Sequence, residues 1–343
     1  MRIALTASGG GHTGYALALA AALREKGHSV VFIVDPGDGW SLERIRRLHP
    51  GAEALPLPRL RSPGEPLYKA LPRLPGLAAH VHRLHRLLEG LDGLIATGSN
   101  HSLLAALAAV EAGVPAAVLE AVDRLVSASR TPRLLSLLGL PVLLHWPLQR
   151  RLYPRRGLVV GPVYEPPRPG RPPVEPGYVL ILTGSMGNPR LLRLLLRTRL
   201  ERVVVQTGRL TPPRLVEEAR PGWLAFRYTP DPAPWIRGAS VVVSHQGLGL
   251  VEAALAYGKP VVLGFNPDLH MTSSWRDAVE LARLLGTKAV DPSRVSPNKL
   301  EEAIEWAAGR RPPRYPWGAG VVAENIHGIL SHAPTGWRQW TRT

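Results

Sequence analysis

The sequence predicts an α/β protein made of two open parallel-sheet domains in one chain of 343 residues. Three observations predict it. Short apolar runs rich in Val, Ile and Leu recur along the chain, as expected of parallel strands buried on both faces. Several of these runs pass straight into a glycine loop and then into a helical segment. A Pro-rich stretch from Gly161 to Gly177 separates two halves that repeat this order, and its composition suits a semi-rigid linker. The length also exceeds what one core usually serves. The expected division is residues 1–163, a linker at 164–176, a second domain at 177–316, and a tail at 317–343 with room to return to the first domain.

In the first half, Ile3–Leu5 reads as a strand. The loop Thr6-Ala-Ser-Gly-Gly-Gly-His-Thr-Gly14 follows, then a helix over Tyr15–Lys26 with Gly27 placed as its C-terminal cap. Ser29–Val34 is the next strand and ends at Asp35. A short helix and an edge strand, Ala52–Leu57, come after it. Between Arg59 and Glu89 the character changes. Leu71, Leu74, Leu77, Ala78, Val81, Leu84 and Leu88 recur at helical spacing among Lys69, Arg73, Arg83, Arg86, His80, His82 and His85. Such a basic amphipathic segment either packs on the sheet or lies in a membrane interface. Leu91–Ala96 is a strand ending in Thr97-Gly-Ser-Asn-His101, with a helix at Ser102–Ala112. Val114–Leu119 ends at Glu120, and Pro141–His145 is a further strand.

In the second half, Tyr178–Leu182 leads into Thr183-Gly-Ser-Met-Gly187 and a basic helix over Pro189–Arg199. Arg202–Gln206, Trp223–Arg227 and Ala239–Ser244 read as strands. The loop Ser244-His-Gln-Gly-Leu-Gly249 precedes a helix, Leu250–Tyr257. Val261–Gly264 is a strand running into Phe265-Asn-Pro-Asp268, and residues 271–286 and 297–308 read as helices.

A hydrophobic content of 45% is ample for packed cores, and the absence of cysteine removes disulfides and thiolate metal sites. No run of about 18 apolar residues and no leader pattern occurs, so the expectation is a soluble or surface-bound protein. A net charge of +16 fits a polyanionic neighbour: nucleic acid, anionic lipid or a nucleoside diphosphate. The Arg residues are spread along the chain without interleaved aromatics, which argues against nucleic acid. No H-E-x-x-H or D-x-D pair is present, so neither a metal nor another cofactor is expected.

The glycine loops carry the chemistry. Gly9, Gly11 and Gly14 match the G-x-G-x-x-G spacing of dinucleotide-binding folds, and Asp35 stands where such folds hold a ribose. Against that reading, His12 and Thr13 fill the middle of the loop and the second half has two glycine loops of its own. His12 is the one side chain in its loop that titrates near neutral pH, at the positive end of a helix dipole.

These residues resemble a known family. Gly10-Gly-His-Thr-Gly14, Gly98-Ser99, Val118-Leu-Glu120 and His145-Trp-Pro147 look like the membrane-anchored subunit of the eukaryotic UDP-GlcNAc transferase acting on dolichyl-diphosphate-GlcNAc. Val243-Ser-His-Gln-Gly-Leu-Gly249, Glu252-Ala-Ala and Gly258-Lys-Pro260 look like its catalytic partner. Gly184-Ser-Met-Gly187 and the His12 loop also resemble the bacterial lipid II-forming GlcNAc transferases, the MurG family. The nearest resemblance is to archaeal fusions that make lipid-linked chitobiose for N-glycosylation. It spans about residues 1–290. It departs at Tyr15, where the eukaryotic subunit is acidic. Glu252 lies seven residues after His245, where the ribose-binding Glu of the family lies eight after its His, and the family's Gln-rich sugar grip is missing.

The resemblance implies a GT-B fold, with the two domains facing a cleft. It further implies an inverting, metal-independent hexosyltransferase that moves GlcNAc from UDP-GlcNAc to a lipid-diphosphate-linked GlcNAc of the dolichol type through a β-1,4 bond. The enzyme would sit on an anionic membrane surface, peripheral on the inner face of the cell membrane. His12 is expected as general base, with Glu120 orienting it or binding an acceptor hydroxyl. Gly10, Gly11, Thr13, Gly14, Gly98, Ser99 and Asn100 would line the acceptor; Ser99 and Asn100 equally suit helix caps. Gly184, Ser185, Tyr228, Thr229, His245, Gln246, Gly247, Gly249, Glu252, Asn266, Asp268 and His270 would line the donor. The alternatives are a UDP-sugar transferase with another acceptor, a UDP-GlcNAc epimerase, or, on charge alone, a nucleic-acid-binding protein.

Overall fold

The computed structural model describes residues 1–59, 74–268 and 273–333. Lys69, Leu71 and Arg73 of the basic segment, His270, and the tail residues Trp337, Arg338 and Trp340 lie outside them. The chain divides into two compact units, one formed by Met1–Glu165 with the segment from Pro316 onwards, the other by Pro166–Tyr315.

In the first unit seven strands are β1 (Arg2–Ala7), β2 (Ser29–Val34), β3 (Glu53–Pro56), β4 (Gly93–Ala96), β5 (Ala116–Leu119), β6 (Val142–Leu144) and β7 (Gly157–Val159). They form one parallel sheet in the order β3-β2-β1-β4-β5-β6-β7. The connecting helices are α1 (Gly10–Glu25), α2 (Gly39–Leu48), α3 (Leu74–Leu88), α4 (Asn100–Glu111) and α5 (Arg130–Leu137), with a 3-10 turn at Pro147–Leu152. Gly27 ends α1 at φ 78°, where the His28 N–H reaches the Leu23 carbonyl and the Gly27 N–H that of Arg24. This is a Schellman closure, which only glycine enters without strain.

The second unit holds β8 (Tyr178–Leu182), β9 (Val203–Gln206), β10 (Leu224–Phe226), β11 (Ala239–Ser244), β12 (Val261–Gly264) and β13 (Ala289–Val290), ordered β10-β9-β8-β11-β12-β13 and again all parallel. Its helices are α6 (Pro189–Leu195), α7 (Pro213–Ala219), α8 (Ala233–Gly238), α9 (Leu248–Leu255), α10 (Trp275–Leu284) and α11 (Pro297–Ala308). Two last helices, α12 (Gly318–Glu324) and α13 (Ile326–Ser331), belong to the first unit. There Lys26 pairs with Glu324 at 3.1 Å and the Trp317 indole donates to the Tyr164 carbonyl at 2.8 Å.

Each sheet therefore has a point where the winding direction reverses, between β1 and β4 and between β8 and β11. Open α/β sheets bind ligands at the strand C-termini of such points. The glycine loops lie there in both units.

Packing on the sheet accounts for part of the amphipathic segment. Helix α3 forms, but Leu84 and Leu88 are fully buried in the core of the first unit, with Val81 packed beside them. That part of the apolar stripe is consumed by packing. His80, His82, Arg83 and Arg86 face outward, with the apolar Leu87 exposed beside them. Among the described residues no helix is long and apolar enough to cross a membrane.

Candidate active site

Helix α1 starts at Gly10, and the strand before it ends at Ala7, so His12 sits in the first helical turn above β1. Its Nδ1 is 2.6 Å from the carbonyl oxygen of Thr97, the residue that follows β4. A carbonyl only accepts, so Nδ1 carries the proton and Nε2 of the neutral ring keeps a lone pair. The half-buried ring has a pKa below the usual 6.5. Desolvation is the main cause and the Arg59 charge adds to it, opposed by the Thr97 bond and by the Asp123 carboxylate. The neutral, proton-accepting form is thus the resident one at pH 7.

Gly98 lets the ring lie there. At φ 97° it turns the chain, and a Cβ on it would stand 2.7 Å from the Leu119 carbonyl oxygen and 3.8 Å from His12 Cε1. Ser99 caps α4, its Oγ accepting from the Ser102 N–H at 3.2 Å, and Asn100 is the first residue of that helix. Gly10 and Gly11 are open at the start of α1. Thr13 and Gly14 are buried, and the Thr13 hydroxyl bonds Ser41 Oγ at 2.7 Å, tying α1 to α2. These two pack the helix rather than line a surface.

The dinucleotide reading meets a specific obstacle. The Gly9 N–H is already taken by the Asp38 carboxylate at 2.7 Å, and Asp35 is held by Arg59 at 2.8 Å. Arg59 also bonds Asp38. The loop carries an internal anion, and the acid that would meet a ribose is engaged.

Glu120 is not placed against His12. It is fully buried, and its carboxylate accepts from the N–H groups of Ala121 at 2.7 Å and Ser129 at 3.0 Å and from the Tyr153 hydroxyl. Burial raises its pKa, and these donors oppose the rise. Its hydrogen bonds are those of a loop clamp, and the carboxylate whose charge acts on His12 is Asp123. Composition gave no sign of Asp123; its only sequence signal is an acid three residues beyond the strand-end Glu120. Tyr15, at the family's acidic position, is buried with its ring 6.2 Å from His12 and 5.3 Å from His145. His145 donates from Nε2 to the Glu120 carbonyl at 2.8 Å and accepts the Val163 N–H at Nδ1, and burial lowers its pKa to about 4.

In the second unit the corresponding pair is His245 and Gly184. Gly184 has φ 75°, and a Cβ there would lie 2.4 Å from His245 Cε1. Gly187 and Gly208 pack equally closely: a Cβ on Gly187 would meet the Thr207 carbonyl oxygen at 2.6 Å. Ser185 is exposed at the tip of its loop. Gly247, at φ 139°, starts α9, and Gly249 lies in its first turn over Ser244. Gln246 and Asn266 are buried and bond each other: Asn266 N–H to Gln246 Oε1 at 2.9 Å, Gln246 Nε2 to the Asn266 carbonyl at 3.2 Å. Asn266 Nδ2 also reaches the Gly187 carbonyl at 2.9 Å. The pair braces the glycine loops against the segment after β12. Glu252 is buried on α9, and Asp268 is an exposed partner of Arg190 at 2.9 Å. Tyr228 and Thr229 follow edge strand β10, with the Thr229 hydroxyl closing a turn on Asp231. Among the described residues no cluster of three or more His, Asp or Glu side chains could hold a metal ion.

Comparisons with known proteins bear on the fold. Residues 178–312 match the glycosyltransferase family 28 C-terminal domain. This second unit is glycosyltransferase-28-like. Solved structures share the fold over nearly the whole chain. MurG of Acinetobacter baumannii is 17% identical with a TM-score of 0.58, covering 97% of this chain and 95% of that one. The glycosyltransferase SnogD of Streptomyces nogalater is 18% identical with a TM-score of 0.60, covering 97% and 96%. A UDP-GlcNAc 2-epimerase from Neisseria meningitidis, bound to UDP-GlcNAc, is 15% identical with a TM-score of 0.65, covering 96% and 100%. The architecture is that of the GT-B glycosyltransferases. No curated protein sequence matches the chain.

Proposed function

We propose that the protein is an inverting UDP-sugar transferase that moves GlcNAc from UDP-GlcNAc to a lipid-diphosphate-linked GlcNAc acceptor, forming a β-1,4 bond. The observation that carries this reading is His12, held by Thr97 with its Nε2 lone pair free at the β1/β4 switch point. The family 28 match over residues 178–312 supports a nucleotide-sugar site in the second unit. UDP-GlcNAc in the related epimerase, and the MurG neighbour, favour that donor.

In this reading His12 Nε2 takes the proton of the acceptor hydroxyl as its oxygen attacks the anomeric carbon of the donor. The bond from that carbon to the diphosphate breaks with its electron pair, and UDP leaves. Charge growing on the leaving diphosphate meets backbone N–H groups at Gly184–Ser185 and Gly247–Gly249 and the positive end of α9. The protein binds anionic membranes peripherally, through the basic face of α3 and the overall charge of +16. Its place is then the inner face of the cell membrane.

The test is to incubate the purified protein with UDP-GlcNAc and a short-chain lipid-diphosphate-GlcNAc, and to weigh the lipid products by mass spectrometry. One added N-acetylhexosamine is expected; an unchanged acceptor overturns the reading. The epimerase neighbour motivates a second reading. Conversion of free UDP-GlcNAc to its 2-epimer without any acceptor would favour that one.

A further inference from the structure

The segment after β5 is held by an unusual number of side chains. Glu120 bonds the N–H groups of Ala121 and Ser129. Gln149 Nε2 donates to the carbonyls of Ala121 at 2.9 Å and Arg124 at 2.8 Å. Val122 donates its N–H to the Tyr15 hydroxyl at 2.9 Å, and its carbonyl accepts the Trp146 indole at 2.8 Å. Arg151 reaches the Leu125 carbonyl at 3.3 Å. Glu120, Gln149 and Trp146 are all fully buried. Only one residue between Ala121 and Leu125 has no bond of its own among the described residues. That residue is Asp123, in the centre of the braced segment and 8% exposed.

No hydrogen bond reaches the Asp123 carboxylate among the described residues, and a largely covered side chain of this kind is suited to be completed by a ligand hydroxyl. Rigid support around an unsatisfied polar group is the arrangement that binding sites use to fix geometry. The location agrees. Val122, the preceding residue, touches Tyr15, whose ring packs on His12, and the Asp123 charge acts on both.

We propose that Asp123 is a substrate-binding residue: its carboxylate accepts a hydrogen bond from a hydroxyl of the acceptor sugar and so selects which hydroxyl meets His12. The ligand class is an uncharged, polyhydroxylated ring. A diphosphate would be repelled from this carboxylate and belongs elsewhere on the acceptor. This inference rests on the transferase reading, with the roles inside the acceptor site now assigned.

The test compares wild type with D123N and D123A in three measurements. Thermal unfolding reads whether the carboxylate is free: D123N is expected to melt at or above wild type, and a lower midpoint would reveal a structural partner and overturn the proposal. NMR of the His12 ring, assigned with H12Q, reads a titration with methyl β-N-acetylglucosaminide. A saturable shift in wild type, weakened about 10- to 100-fold in D123N, is expected from loss of a charge-assisted hydrogen bond. No shift in wild type, or equal affinity in D123N, overturns the proposal. Transfer kinetics should show a raised KM for the lipid acceptor with KM for UDP-GlcNAc unchanged. If wild type transfers nothing while the first two results hold, the sugar site stands and the transfer reading alone falls.

Discussion

The Nδ1 of His12 and the carbonyl oxygen of Thr97 lie 2.6 Å apart, one from the first turn of α1 and the other from the residue that follows β4. That bond spans the reversal of the first sheet. It fixes the tautomer of a ring whose remaining nitrogen is basic. His12→Gln keeps a donor toward Thr97 but removes the base. Turnover should fall roughly 10²–10⁴-fold, with little change in KM for the donor. Near wild-type turnover in a folded H12Q would exclude the base role.

The same environment sets a pH profile. Burial lowers the His12 pKa below 6.5. The base works in its neutral form, so the acidic limb of kcat/KM should be centred below 6.5. An acidic limb centred above 6.5 would contradict the assignment.

Stability should also fall with acid, through two other histidines. His101 donates to the Leu57 carbonyl at 2.7 Å and His145 to that of Glu120, and burial lowers each pKa to about 4. Between about 6.5 and 4 the unfolded chain binds protons that the folded chain does not. Unfolding is therefore favoured as pH drops through that window, by on the order of a few kcal/mol for the two together. Urea midpoints at pH 7 and pH 4.5 give the measurement, and H145Q should flatten the slope.

Gly184→Ala tests the second unit. Its methyl group would meet the His245 ring at 2.4 Å, on a backbone at φ 75° that alanine adopts with strain. The ring must move, so binding of UDP-GlcNAc should weaken about tenfold or more while the first unit is undisturbed. Calorimetry of UDP-GlcNAc binding decides it; unchanged affinity would place the donor away from His245.

Loss of Glu120 separates brace from catalyst. E120A leaves the N–H groups of Ala121 and Ser129 and the Tyr153 hydroxyl without their acceptor, and should cost roughly 1–3 kcal/mol or more of stability. The His12 ring, which Glu120 does not touch, should keep its NMR titration midpoint within a few tenths of a unit. A large shift would restore Glu120 as its orienting group.

The fold class was legible because parallel strands leave continuous apolar runs, as in Val30–Val34 and Val241–Val243, and because glycine loops mark strand-to-helix turns. Short elements were less so. β7 has only three residues, Gly157–Val159, and β13 only two, too few for any periodicity. Helices α7 and α8 are six to seven residues long and begin among prolines that read as loop. In the site, His12 announced itself by residue type and position. The bracing of Glu120 and its segment did not, because it depends on Gln149, Trp146 and Tyr153, which are distant in sequence. The mutual bonds of Gln246 and Asn266 were not legible for the same reason, since the two lie 20 residues apart.

The Asp38 carboxylate on the Gly9 N–H has a wider consequence. Two sheets wound alike, each with glycine turns at its reversal, would otherwise compete for the same phosphorylated guest. By occupying one turn with a side chain of its own, the protein sets a negative charge where a phosphate would otherwise approach the Gly9 N–H, which fits the proposal that the donor belongs to the other half. In that proposal, discrimination between the halves is written by what is already seated rather than by what is attracted.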